Sequence, residues 1–270
     1  MSGYISNSWL WLQNQATTKA RNFLLNVLAA GPIPKHVAFV MDGNRRYARM
    51  NQKAIQQGHK DGFVALRRVL EVCLRLNIHC VSVYAFSIEN FKRDADEVNA
   101  LMQLAEEKLL ELCGHGDLLD EYGVKLNVVG KKALLPEPVQ QAIAKAEEMT
   151  RHNKRAILNL CMPYTSRDEM ATAVESCVNN ALNKTPSDEE IIITERDIED
   201  QLMTCLGGSP PRVDILVRTS GVKRLSDFML WQSCEDTQLQ FTSTFWPDFG
   251  LVDFIPIILD YQRKIWSKPS

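Results

Sequence analysis

The chain has 270 residues, 45% of them hydrophobic, and 31 basic residues stand against 33 acidic ones for a formal charge of −2 at neutral pH. That length supports one large domain with its own core and is too short for two independent ones. The charge balance excludes a global positive field of the kind that draws a protein onto nucleic acid, so any anion site must be local.

An N-terminal segment, residues 1–30, precedes the domain at 31–270. Lys19 and Arg21 come before an apolar run from Phe23 to Ala30, which is short and interrupted by Asn26. That run suits neither a secretory signal nor a membrane span. Trp9, Trp11, Leu12, Phe23, Leu24, Val27 and Leu28 suit an amphipathic helix, with two readings: it lies on a membrane surface, or it packs on the domain.

After the turn Gly31-Pro32-Ile33-Pro34, an apolar run from Val37 to Met41 predicts a buried strand that stops at Asp42-Gly43-Asn44-Arg45-Arg46. Phe63, Leu66, Leu70 and Cys73 recur at helical spacing, and a second strand follows at Cys80–Phe86. Asp94 and Glu97 have capping-box spacing ahead of a helix whose apolar face is Val98, Leu101, Met102, Ala105, Leu109 and Leu112. Further strands are expected at Val124–Val129, Ala156–Met162 and Val213–Val217, and the polar stretch Asn183–Thr194 reads as a solvated connection. Strands alternating with helices predict an α/β single domain with a mainly parallel sheet flanked by helices. In such sheets ligands bind beyond the carboxyl ends of the strands.

Three polar clusters begin where three strands end: Asp42–Arg46, Ser87–Arg93 and Arg218–Ser226. Adjacent arginines offer forked donors to phosphate oxygens, and Gly43 allows close backbone approach. Asp42 beside a phosphate would repel it unless a cation such as Mg2+ lay between them; the competing reading is a charged surface turn. Neither a Walker loop nor a dinucleotide fingerprint occurs, which disfavours nucleotide and phosphoryl transfer and favours two separate diphosphates. Seven scattered cysteines lack a Cys-x-x-Cys pair, and most read as reduced core residues, while five histidines without ligand spacing leave no all-protein metal cage.

Met41-Asp42-Gly43-Asn44-Arg45-Arg46, Gly58-His59, Phe86–Arg93, Arg218-Thr219-Ser220-Gly221, Arg224–Phe228, Leu230-Trp231-Gln232 and Trp246-Pro247 resemble, in order, the signature blocks of cis-prenyltransferases. Asn-Arg-Arg-Tyr and Ser-Ile-Glu-Asn-Phe-Lys-Arg resemble the eukaryotic dehydrodolichyl diphosphate synthase branch, in particular its fungal members. The resemblance implies an undecaprenyl diphosphate synthase-like fold with a hydrophobic tunnel, for whose wall Phe63, Leu66, Leu101, Met102 and Leu109 are candidates. It implies condensation of isopentenyl diphosphate onto farnesyl diphosphate to make a long dolichol precursor. Asp42 would be the catalytic carboxylate and Mg2+ ligand, with Asn90, Ser87 and His59 beside the reacting carbons. Asn90 would serve in orientation or in the proton-loss step. Gly43, Asn44, Arg45, Arg46 and Arg93 would hold the allylic diphosphate, and Arg218, Arg224 and Ser226 that of isopentenyl diphosphate.

Three departures from the family pattern stand out. Ile55 replaces a phosphate-binding arginine, Val222 replaces a glutamate, and Gln238 is the nearest equivalent of a metal-binding glutamate in bacterial members. The tail Arg263–Ser270 also lacks the Arg-x-Gly motif of single-component relatives. The resemblance therefore implies a second, Nogo-B-receptor-like subunit completing the isopentenyl side, and peripheral association with the cytosolic face of the endoplasmic reticulum membrane. Non-catalytic partner subunits of this kind lack the intact Asp-Gly-Asn-Arg-Arg block, so its presence here favours a catalytic chain over a scaffold.

Overall fold

The computed structural model describes residues 19–183 and 192–267. Six strands, β1 (His36–Val40), β2 (Cys80–Tyr84), β3 (Val124–Val129), β4 (Ala156–Cys161), β5 (Ile215–Arg218) and β6 (Gln238–Phe241), form one sheet in the order β3-β4-β2-β1-β5-β6. All neighbouring pairs are parallel, as the near-continuous apolar runs require of strands covered on both faces. The five expected strands, β1 to β5, fall within one or two residues of their bounds. The largest shift is β5, where Val213 bonds to the Gln232 carbonyl ahead of the ladder and Arg218 pairs with Val40. The last rung of the central ladder thus carries a guanidinium.

Chain direction sets the location of the site. From β1 the chain passes to β2 on one side, and from β5 it passes to β6 on the other. The connections leaving the carboxyl ends of β1 and β5 therefore diverge and open a crevice between them, the topological switch point at which open α/β sheets bind ligands.

Around the sheet pack α2 (Asn44–Met50), α3 (Ile55–Arg75), α4 (Ala95–Leu112), α6 (Glu137–Thr150), α7 (Ser166–Leu182) and α10 (Leu251–Ser267), with short helices α5 (Leu118–Glu121), α8 (Glu195–Asp200) and α9 (Met203–Leu206) in the connections. Phe39 of β1 anchors an aromatic cluster whose ring centroids lie 5.8 Å from Trp246, 6.2 Å from Phe249 and 5.7 Å from Phe254. The buried Trp246 indole donates to the Gly62 carbonyl at 2.8 Å, the partner a desolvated N–H needs. Gly62 also lets α3 approach α2, since a Cβ there would stand 2.6 Å from Asn44 Oδ1.

Residues 19–29 form a helix, α1, docked on the same core through Leu25 and Leu28, whose Leu28 carbonyl accepts from Gln262 Nε2 at 2.7 Å. Its other face remains open, with Phe23 68% and Val27 52% exposed. Trp9, Trp11 and Leu12 lie outside the described residues, as do residues 184–191 of the polar connection and 268–270 of the tail. Among the described residues no helix is long and apolar enough to cross a membrane. Five of the cysteines, Cys73, Cys80, Cys113, Cys161 and Cys177, are buried free thiols, as core packing predicts. The capping box expected at Asp94 forms only in part: Asp94 accepts from Asp96 N, while Glu97 turns away to another task.

Candidate active site

One cleft of about 800 Å³ lies at the carboxyl edge of the sheet, and all twelve candidate residues line it: Asp42, Gly43, Asn44, Arg45, Arg46, His59, Ser87, Asn90, Arg93, Arg218, Arg224 and Ser226. Eleven reach it from the carboxyl ends of β1, β2 and β5 and the segments directly following them, as expected of three connections after parallel strands, and His59 reaches it from the first turns of α3. Val222 also lines the cleft, whereas Ile55, the first residue of α3, does not.

The centre is an ionic lattice between the ends of β1 and β5. Arg218, only 5% exposed in its side chain, donates through Nη2 to Asp42 Oδ2 at 2.8 Å, and through Nη1 to the Arg224 carbonyl at 2.6 Å and Ser226 Oγ at 2.7 Å. Arg46 Nη2 donates to Ser220 Oγ at 2.5 Å and lies 3.3 Å from Asp42 Oδ1. Burial alone would raise the Asp42 carboxyl. The Arg218 guanidinium bonded to it, with Arg46 and the Ser220 hydroxyl, overrides that effect and holds it below the usual carboxylate range. Asp42 is therefore ionised at neutral pH. Its backbone is locked as well: its N–H donates to Thr219 Oγ1, and its carbonyl accepts from Thr219 Oγ1 and Trp246 N. Gly43 follows at φ 108°, a conformation open to glycine, with the Phe245 ring where a Cβ would stand.

A second ionic group flanks the first. Glu97, 11% exposed in its side chain, accepts from Arg93 Nη1 at 2.8 Å and faces Arg45 Nη1 at 3.6 Å and His59 Nε2 at 3.5 Å. Burial lowers the His59 pKa against the opposing pull of Glu97, so the ring is neutral near pH 7. Its Nε2 is buried without a hydrogen-bond partner. Ser87 caps the short 3-10 helix Ile88–Lys92, accepting from Glu89 N, while Ser87 N donates to Asn90 Oδ1 at 3.1 Å. That bond uses the Asn90 carbonyl oxygen, and the residue lines the cleft.

Beneath the cleft lies an apolar cavity of about 130 Å³ between α3, α4 and the sheet. Cleft and cavity share Met41, Asn44, His59, Ala85, Phe86 and Leu101, so they adjoin. Phe63, Leu66, Leu101 and Leu109 line the cavity as candidate tunnel wall, whereas Met102 packs into the core beside it.

Among the described residues no group of three acidic, histidine or cysteine side chains converges as a metal cage. Asp42 is the ionised, part-exposed oxygen donor at the centre, a donor set that suits a hard cation completed by substrate oxygens. Gln238 stands apart. It begins β6 opposite Ile215, three rungs below Arg218, and its Nε2 donates to Asp260 Oδ2 at 2.5 Å. Its position at the far edge of the sheet corrects the expectation that its amide marks a ligand missing from this cleft. Glu97, Tyr84, Arg167 and Asp227 join the site without having been assigned a site role from sequence. Glu97 and Arg93 stand at helical i, i+4 spacing, a signal available in advance; Arg167 and Asp227 are sixty residues apart and offer none.

Residues 40–266 match the prenyltransferase family described as "Putative undecaprenyl diphosphate synthase". The chain is 44% identical over 254 residues to a dehydrodolichyl diphosphate synthase complex subunit of Schizosaccharomyces pombe, covering 94% of this chain and 93% of that one. It is 41% identical to the human dehydrodolichyl diphosphate synthase complex subunit over 94% of this chain and 74% of that protein. Among solved structures, lavandulyl diphosphate synthase from Lavandula x intermedia in complex with dimethylallyl diphosphate superposes with a TM-score of 0.75 at 31% identity, over 85% of this chain and 95% of that one. A probable undecaprenyl diphosphate synthase from Campylobacter jejuni superposes with a TM-score of 0.68 at 28% identity, over 86% of this chain and 96% of that one.

Proposed function

The chain belongs to the undecaprenyl diphosphate synthase family of prenyltransferases, and on that premise we propose that it condenses isopentenyl diphosphate units onto farnesyl diphosphate to build dehydrodolichyl diphosphate, the precursor of a dolichol carrier lipid. The observation that carries this reading is that a cleft lined by two sets of phosphate-grade cations directly adjoins an apolar cavity beneath it. A substrate with a diphosphate head and a growing hydrocarbon tail needs both, in that order.

Gly43, Asn44, Arg45, Arg46 and Arg93 hold the allylic diphosphate, and Arg218, Arg224 and Ser226 hold that of isopentenyl diphosphate. In the reaction the allylic C1–O bond breaks, C1 bonds to C4 of isopentenyl diphosphate, and a C2 proton leaves. Anchoring both heads makes this a reaction between positioned neighbours. Arg46, Arg45 and Arg93 offset the charge that grows on the departing diphosphate. Asn90 and Ser87 orient the reacting carbons; an amide has no basic lone pair at neutral pH, so orientation is the role its chemistry supports. His59, neutral and with Nε2 unsatisfied, offers a hydrogen-bonding position where the head site meets the tunnel.

Asp42 would hold Mg2+ together with substrate diphosphate oxygens, the ion supplying charge neutralisation of the leaving group. The relatives are named as complex subunits, which supports a heteromer in which a Nogo-B-receptor-like subunit completes the isopentenyl side. The exposed Phe23 and Val27 on α1 support peripheral attachment to the cytosolic face of the endoplasmic reticulum membrane. The test is product analysis with radiolabelled isopentenyl diphosphate, farnesyl diphosphate and Mg2+, with and without the partner subunit. A ladder of long polyprenyl diphosphates, stimulated by the partner, is the expected result; no chain extension in either mixture would refute the reading.

A further inference from the structure

The loop after β5 carries Arg224 and Ser226 into the cleft, and its backbone is strained. Four non-glycine residues have left-handed φ: Ser220 at 75°, Ser226 at 54°, Asp227 at 61° and Met229 at 47°. Such conformations persist only where the surroundings over-determine them. Here the surroundings are the first turn of α7. Asp227 Oδ1 accepts from Arg167 N at 3.0 Å, Oδ2 accepts from Arg167 Nε at 2.8 Å, and the Asp227 carbonyl accepts from Ser166 N at 2.7 Å. Leu230 N then donates to Ser166 Oγ at 2.9 Å. One residue upstream, Ser226 Oγ accepts from Arg218 Nη1 at 2.7 Å and Arg224 Nε at 3.2 Å, so the hydroxyl gathers the two guanidinium groups.

We propose that Asp227 and Arg167 form a clasp that positions Ser226 and Arg224 for the diphosphate of isopentenyl diphosphate. The inference rests on the assignment of Arg218, Arg224 and Ser226 to that substrate. Both members of the clasp line the cleft, Arg167 at its open surface and Asp227 largely covered. The pairing does two things. Two side-chain bonds and one backbone bond fix the turn that aims Ser226. The Arg167 guanidinium also offsets the charge of a carboxylate that would otherwise stand beside an incoming polyanion and repel it. Both members are positioning residues, because they act through Ser226 and Arg224.

Steady-state kinetics on the full chain, in the complex it forms, test this with the allylic substrate saturating and isopentenyl diphosphate varied. Asp227→Gly suits the left-handed backbone, so it deletes the carboxylate without adding strain. It should raise KM for isopentenyl diphosphate roughly ten- to a hundred-fold, the scale of a misplacement of about 1 Å, and leave KM for farnesyl diphosphate unchanged. Asp227→Asn, which keeps an acceptor for the Arg167 amide, and Arg167→Ala, which keeps that amide, should each cause a smaller rise. Adding Arg167→Ala to Asp227→Gly should cause none. An unchanged KM for isopentenyl diphosphate in Asp227→Gly, or equal changes in both KM values, would overturn the clasp. Arg224→Ala run alongside separates the two claims: if it too leaves that KM unchanged, the assignment of the half-site has failed, and if it alone raises KM, only the clasp has.

Discussion

Two histidines at opposite ends of the central strands stand in opposite states. At the amino end, His36 is fully buried, with Nε2 2.7 Å from Ser82 Oγ and Nδ1 3.0 Å from the Arg212 carbonyl. Around it Asn159 bonds to Ser82 and Ser209, and Asp214 caps the Lys35 and His36 amides. At the carboxyl end, the His59 side chain is 10% exposed and its pKa is likewise lowered, yet its Nε2, 3.5 Å from Glu97 Oε1, makes no hydrogen bond. Arg218 Nε, nearby, is also buried without one. Buried polar groups are normally satisfied because leaving one bare costs on the order of 1–3 kcal/mol. His36 obeys that rule and is frame. Gln232 Oε1 and Gln238 Oε1, away from the cleft, also lack partners, so what marks His59 and Arg218 as site is that their unmet groups belong to residues lining the cleft, where a ligand would restore the missing bonds.

The largest expected effect breaks the carboxyl end at its centre. Asp42→Ala should lower kcat by roughly two to three orders of magnitude, the scale of losing a principal electrostatic contact to the transition state. Asp42→Asn should match it in activity while retaining a bond to Arg218. Near-wild-type turnover of either at saturating Mg2+, with far-UV circular dichroism unchanged, would remove Asp42 from the mechanism. Next, Arg224→Ala should raise KM for isopentenyl diphosphate by about 10- to 150-fold, the loss of one charge-assisted bond of ~1.5–3 kcal/mol. Arg218→Ala should do at least as much, since it also frees Asp42. A change confined to farnesyl diphosphate would exchange the two half-sites.

A smaller effect is expected for Glu97→Gln, which removes the counter-charge of Arg93, Arg45 and His59. KM for the allylic substrate should rise by up to about tenfold, because the pair is part-exposed and screened; an effect on isopentenyl diphosphate instead would contradict its place in the allylic half. The smallest effect on turnover belongs to the amino end. Burial lowers His36 from 6.5 to about 4. The unfolded chain therefore takes up this proton first as pH falls, so the stability it represents is complete above about pH 6.5 and is lost towards pH 4. Roughly 3 kcal/mol is at stake at 1.36 kcal/mol per pH unit. Urea titrations across that window should show the slope in the wild type and a flatter one in His36→Gln, with kcat little changed in both.

Sequence revealed the site's frame because parallel buried strands are unbroken apolar runs, and the site loops are the charged residues that abruptly end them. Asp42, Asn90 and Arg218 were legible for that reason. The partners that orient them were not. Glu97 has the spacing of a helix cap, and only the packing of α3 against α4 shows that it serves His59 and Arg45 instead. Arg167 meets Asp227 across sixty residues of chain, a pairing set by the crossover from β4 to β5. Gln238 misled because strand register decides which edge of the sheet a residue reaches, and three rungs are enough to remove it from the cleft.

The most direct test of the account is incorporation of radiolabelled isopentenyl diphosphate by the chain in its complex, wild type beside Asp42→Asn, with farnesyl diphosphate and Mg2+ supplied and products resolved by chain length. The account predicts a ladder of long polyprenyl diphosphates from the wild type and almost none from the variant. Equal product from both, or no elongation by the wild-type complex, would contradict it.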